Sequence, residues 1–99
     1  MYQILVTYHF DSKEDRDAFY RELAENRIAR ICQEEKGCIR YDYFFPCEKD
    51  RELFLLEMWE TKEDQKVHSR QPHFALIGGL KKKYNATIEF EIMNGEKLG

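Results

Sequence analysis

Three ionisable side chains stand out for where they fall. Glu57 lies in Leu53-Phe54-Leu55-Leu56-Glu57-Met58-Trp59, a run with the composition of a β-strand. With alternating side chains it shares a face with Leu53, Leu55 and Trp59, so a carboxylate is carried into an apolar neighbourhood. Burying that charge costs several kcal/mol unless it is paired or hydrogen-bonded. Glu57 is therefore either a tie from strand to helix or a pocket group with a raised pKa. His68 and His73 flank Pro72 at a helix break, where side chains can converge on a cavity below. Histidine, with an ordinary pKa of about 6.5, is the natural proton acceptor near neutral pH. Trp59 is either core or a flat pocket wall for an aromatic ligand. Arg27 interrupts the apolar stripe from Leu23 to Ile31, and either faces a pocket or is solvated. His9, on a strand, reads as structural.

A metal site would have to use His68 and His73, with Glu57 as a third ligand. The gap across Pro72 is not the i, i+4 spacing of helical ligands, so no metal is expected. P-loop, GxGxxG, GxSxG and HExxH patterns do not occur, which removes the phosphate-loop, dinucleotide, triad-hydrolase and zincin readings.

The elements that position these groups follow from periodicity. Tyr2 to Phe10 reads as a strand with Ile4, Val6, Tyr8 and Phe10 on one face. Ser12 with Asp15 begins a helix whose apolar positions, Phe19, Leu23, Ala24, Ile28, Ile31 and Cys32, run at three- and four-residue spacings up to Gly37. Cys38 to Phe45 is a second, aromatic strand, and Leu53 to Trp59 a third. Thr61 with Asp64 caps a short helix that Pro72 interrupts. A further helix runs from about Phe74 towards Tyr84, broken or bent near Gly78-Gly79. Ala86 to Met93 is the last strand. This β-α-β-β-α-β order is the ferredoxin-like α+β arrangement, a four-stranded antiparallel sheet with helices on one face. In the third strand Phe54, Leu56 and Met58 oppose Leu53, Leu55 and Trp59, so both faces are apolar. A second copy packed sheet against sheet is the expected cover, giving a homodimer.

The chain of 99 residues fits one domain, 1–99, with 42% hydrophobic and 35% charged residues, a globular balance. A net charge of −3 leaves no excess to hold a phosphate backbone, so no nucleic-acid partner is expected. Lys81-Lys82-Lys83 reads as a solvated helix end. No run approaches the roughly 20 apolar residues of a membrane span, and no signal peptide is evident at the N-terminus, so no membrane partner is expected. Cys32, Cys38 and Cys47 are an odd set without CxxC spacing, which fits a reducing cytoplasm, and they read as small buried hydrophobes.

Gly37-Cys38-Ile39-Arg40-Tyr41-Asp42, then Phe54-Leu55-Leu56-Glu57-Met58-Trp59-Glu60, then His68 with Gln71-Pro72-His73-Phe74, resemble the antibiotic biosynthesis monooxygenase (ABM) domain family. The three pieces occur in order, with family-like spacing, over nearly the whole chain. The resemblance implies a dimeric α/β barrel with a ligand cavity between sheet and helices. It includes the quinol monooxygenase and autoinducer-degrading branches, the latter through Ile39-Arg40-Tyr41-Asp42 and the turn at Pro72-His73. The haem-degrading branch uses an Asn on the first strand, a helical Trp and a later His. Here the first strand has no Asn, the Trp position falls at His68 and the His position near Gly78, so haem degradation is not expected.

The resulting expectation is an oxidoreductase without cofactor: a monooxygenase acting on a small aromatic or quinol. His68 would accept the proton, Glu57 would orient or polarise, and Trp59, Tyr41 and Phe74 would form the walls, with His73 and Arg27 as further substrate contacts. The alternatives are an isomerase of a phosphorylated quorum signal, with Arg27, Arg40 or the lysine run on the phosphate, and a non-catalytic dimeric ligand-binding module.

Overall fold

The computed structural model describes residues 1–93. Its strands are β1 (Tyr2–His9), β2 (Cys38–Phe44), β3 (Glu52–Trp59) and β4 (Thr87–Met93), in the antiparallel order β2-β3-β1-β4. Helices α1 (Lys13–Glu25) and α2 (Ile28–Gln33) link β1 to β2, and α3 (Lys62–His68) and α4 (Pro72–Lys83) link β3 to β4. This is the ferredoxin-like α+β fold expected from the sequence.

The caps that begin α1 and α3 are those the sequence shows. Ser12 Oγ accepts from the Asp15 amide at 3.1 Å, and Thr61 Oγ1 accepts from the Asp64 amide at 3.1 Å. Each satisfies one of the amides that a helix start leaves orphaned. Gly37 takes φ +79°, and a Cβ there would sit 2.2 Å from Asp64 Oδ2, so both conformation and close packing demand glycine.

Two helical expectations are corrected. The long first helix is two, because Arg27 enters the left-handed region at φ 54° as the N-cap of α2. The Asn26 side chain donates to the Glu22 carbonyl at 2.7 Å and closes α1 just before that break. Conversely, α4 runs unbroken through Gly78 and Gly79 and begins at Pro72 itself. Proline suits the first helical position, where its missing N–H bonds to nothing. The far end of α4 is tied to α1, where Lys83 Nζ meets Glu22 Oε2 at 2.9 Å and the Tyr84 hydroxyl donates to the same oxygen.

The core lies between sheet and helices. Ile4, Val6 and Tyr8 of β1, Tyr41 of β2 and Leu53, Leu55 and Trp59 of β3 meet Phe19, Leu23, Ile28, Cys32, Ile77 and Leu80. Burying each large apolar side chain contributes about 1.5–3 kcal/mol. Arg16 is also buried; its guanidinium lies 4.4 Å from the Phe45 ring centre and donates to the Lys49 carbonyl at 3.3 Å, fastening the β2–β3 loop.

The opposite sheet face is apolar only in its middle. Leu5 pairs with Leu56 and Phe44 with Phe54, while Glu89 and Glu91 of β4 stand on the same side. On the helix side, Ile88, Phe90 and Ile92 face the same way as Tyr8, Val6 and Ile4, yet are 38%, 65% and 52% exposed. The helix layer stops short of β4.

Candidate active site

That shortfall leaves a cavity of about 320 Å³ under α4. Tyr2, Ile4, Val6 and Tyr8 of β1, Tyr41, and Leu55 and Glu57 of β3 line the sheet side. Phe74, Ile77, Gly78 and Lys81 of α4 cover it, with Gln65 of α3, and Ile88 and Phe90 form the β4 wall. The volume lies at the lower end of the range for small-molecule pockets. A side chain at Gly78 would meet nothing within 4 Å, so the glycine contributes open space rather than flexibility.

Among the described residues Glu57 is the one carboxyl in this lining. Burial pushes its pKa up to about 7, against which the hydrogen bond from Trp59 acts. Trp59 Nε1–H donates to Glu57 Oε1 at 3.1 Å, so the tryptophan is a buried support for the carboxyl rather than a wall. Burial also raises Tyr8 and Tyr41, which stay neutral phenols able to donate a hydrogen bond.

His68 does not line the cavity. It is 1% exposed, its ring packed against Trp59, Tyr41 and Phe74 at centroid distances of 4.9, 5.5 and 5.4 Å. Its Nδ1 lies 2.6 Å from Glu35 Oε2, and its Nε2 lies 3.9 Å from Glu57 Oε1 without a hydrogen-bond partner. Because Nδ1 faces a carboxylate, that nitrogen carries the proton in the neutral ring, and Nε2 offers a lone pair towards Glu57. Burial holds the imidazole below its ordinary pKa, with the Glu35 bond pulling the other way. His73 Nε2 meets the same Glu35 oxygen at 2.9 Å.

The structure thus brings Glu57, Trp59, Tyr41, His68, His73 and Phe74 together, in two layers. Tyr41, Glu57 and Phe74 touch the cavity; Trp59, His68 and His73 stand behind it. Arg27 lies elsewhere, in a surface cleft with Tyr20, Leu23 and Tyr43. Arg40 is on the outer sheet face, bonded to Asp42 at 2.7 Å. Among the described residues Lys81 is the single cation in the lining. Glu35 is the site residue that sequence reasoning missed. It sits in the charged run Glu34-Glu35-Lys36 and looks like a solvated helix end.

Cys32, Glu35, His68 and His73 present donor atoms within 4.8 Å of one another, a set that could hold a divalent cation such as zinc. This group differs from the one expected, since Glu57 is outside it. Its spacing is that of hydrogen bonds: a shared metal at about 2.0–2.2 Å from each donor would push the 2.6 and 2.9 Å contacts apart. Burial holds the Cys32 thiol protonated, with a pKa of about 12. Of the other cysteines, Cys38 is half-buried and Cys47 is exposed, so the expectation of three buried thiols holds for Cys32 alone. Among the described residues, no helix is long and apolar enough to cross a membrane.

The profile of the antibiotic biosynthesis monooxygenase family matches residues 3–77, and the chain belongs to that family. Solved structures share the fold. A Bacteroides thetaiotaomicron protein of unknown function, described as a possible oxidoreductase, matches with TM-score 0.80 at 22% identity, over 93% of this chain and 94% of that one. SnoaB, a cofactor-independent oxygenase from Streptomyces nogalater, matches with TM-score 0.74 at 11% identity, over 98% and 94%. An antibiotic biosynthesis monooxygenase matches with TM-score 0.75 at 18% identity, over 98% and 100%. At these identities the likeness shows the fold alone. No curated protein matches the sequence significantly.

Proposed function

We propose that this protein is a monooxygenase that binds a small electron-rich aromatic, a quinol or phenol, in the cavity and oxygenates it with O₂ without metal or flavin. The observation that carries the reading is Glu57: among the described residues the one carboxyl, its pKa near 7, in a lining that is mostly apolar and aromatic apart from Gln65 and Lys81. A base with that pKa is matched to removing a phenolic proton near neutral pH. The resulting oxyanion is electron-rich enough to reduce O₂ itself, so the protein has only to bind, deprotonate and exclude water. For a quinol the balance closes without a co-reductant. The substrate gains one oxygen atom on a ring C–H carbon and loses four electrons; the other oxygen leaves as water. In this reading Tyr8 and Tyr41, which line the cavity, donate to the oxyanion, and Phe74 and Phe90 stack against the rings.

This division of labour differs from the sequence-based expectation in one respect. Glu57 touches the cavity and takes the proton, and His68 stands behind it. SnoaB, described as a cofactor-independent oxygenase, supports the reaction class by its likeness in fold. The isomerase alternative has less support, because Arg27 and Arg40 lie away from the cavity and, among the described residues, Lys81 alone lines it as a cation for a phosphate. The non-catalytic binding module would leave turnover unaffected by Glu57. The test uses 1,4-naphthoquinol and ¹⁸O₂. Hydroxynaphthoquinone carrying one labelled oxygen is expected, with Glu57→Gln losing about 10²–10⁴-fold in kcat. Turnover without O₂ uptake, or turnover indifferent to Glu57→Gln, would overturn the reading.

The apolar middle of the outer face, Leu5, Phe44, Phe54, Leu56 and Met58, is proposed as the surface that a second copy covers. Light scattering at micromolar concentration is expected to report a homodimer, and a monomer would contradict it. Three free thiols are consistent with action in a reducing cytoplasm.

A further inference from the structure

We infer that Glu57, His68 and Glu35 form a proton path that joins the cavity to a second cleft on the outer surface. This rests on the oxygenase reading and extends it, because a cavity closed by a hydrophobic substrate has to pass the substrate's proton somewhere. Glu35 lines a cleft with Lys36, Glu63, Asp64, Val67 and Gln71, and this cleft shares no lining residue with the cavity. The buried imidazole of His68 reaches towards both, its side chain 1% exposed, with Glu57 at 8% and Glu35 at 13%. The ring is oriented for transfer in sequence. Nδ1 is already bonded to Glu35 at 2.6 Å, and the unpartnered Nε2 looks towards Glu57 at 3.9 Å. That gap is about 1 Å too long for a hydrogen bond, and a rotation of the Glu57 carboxyl against a bound substrate closes it.

The proton balance closes over a turnover. The substrate hydroxyl gives its proton to the Glu57 carboxylate. Glu57 passes it to His68 Nε2 while His68 Nδ1 releases its own proton to Glu35, which delivers it to water in the outer cleft. The ring is then in the opposite tautomer. Reduction of O₂ to water inside the cavity takes a proton back by the same route, and His68 returns to its starting tautomer. No net proton leaves, as the overall reaction requires. His73, bonded to the same Glu35 oxygen at 2.9 Å, holds that carboxylate in place and is a positioning residue.

Two measurements test the path. In ¹⁵N NMR of the wild type at pH 8, His68 is expected with Nδ1 protonated and Nε2 bare; the reverse tautomer would overturn the inference. With 1,4-naphthoquinol, the isosteric Glu35→Gln is expected to lower kcat by about tenfold or more, with KM little changed and an increased solvent deuterium isotope effect. If wild type turns over and Glu35→Gln matches it in rate and isotope effect, the path is overturned and the proposed function stands. A wild type that leaves the quinol untouched overturns both.

Discussion

The two halves of the helix-covered sheet face carry similar side chains and behave differently. Over β2, β3 and the Tyr8 end of β1, helices α1 and α2 supply Phe19, Leu23, Ile28 and Cys32, with Phe19 packed against Tyr8 and Phe10. These four and Leu53, Leu55, Tyr41 and Trp59 are all at 1% exposure or less. Over β1 and β4, α4 supplies Ile77 and Leu80 but also two glycines, and Phe90 stays 65% exposed. One half is filled and the other is hollow. An apolar strand face is thus necessary for a core but not sufficient, because the covering helix must also bring volume. Where it does not, similar residues become the lining of a cavity, and Glu57 stands on the boundary between the two.

Mutations on either side of that boundary should separate sharply. Phe19→Ala, in the filled half, is expected to lower unfolding stability in urea by about 3–5 kcal/mol through lost burial and a residual void. Phe90→Ala, in the hollow half, should change it by no more than about 0.5 kcal/mol while weakening quinol binding. Equal losses at the two positions would erase the distinction.

The boundary carboxyl gives the next effect in size. Burial raises the Glu57 pKa from its ordinary 4.5 to about 7, so between those values the folded chain binds more proton than the unfolded one. Stability contributed by neutral Glu57 is therefore full below about pH 4.5 and is lost as pH rises towards 7. At about 1.4 kcal/mol per pH unit the loss comes to about 3 kcal/mol. His68 has the opposite slope, since burial disfavours its charged form and stability falls as pH drops below its ordinary value. The difference between wild type and Glu57→Gln, followed by denaturation from pH 4 to 8, isolates the first contribution. Glu57→Gln should become the more stable protein towards pH 8; a flat difference would contradict the burial cost.

The smallest effect concerns the roof. Gly78→Ala should stabilise by about 0.5–1 kcal/mol, from helix propensity with no clash to offset it. Gly78→Leu should keep the fold and abolish quinol binding, measured by calorimetry. Undiminished affinity in that variant would place the ligand elsewhere.

Much of this contrast was legible in the residue pattern. Strand periodicity showed which residues share a face, and Ser12 and Thr61 marked helix starts that the structure confirms. Glu57 was conspicuous because a carboxylate on an apolar strand face breaks the local rule. What was not legible depends on contacts distant in sequence. Glu35 becomes a site residue only because α3 brings His68 across a separation of 33 positions. Arg16 reads as an ordinary helix cation until the β2–β3 loop closes over it. The turn at Arg27 lacks the glycine that usually announces a left-handed residue. The continuity of α4 goes with the burial of Ile77 and Leu80 in the core on either side of Gly78-Gly79, which local propensity does not register.

The proposed chemistry needs Glu57 at the cavity wall to gain and lose a proton near neutral pH, and infrared difference spectroscopy can observe that titration. The protonated C=O stretch assigned to Glu57, by its loss in Glu57→Gln, should titrate with a midpoint near pH 7. A midpoint near 4.5, the ordinary value for a glutamate, would contradict it.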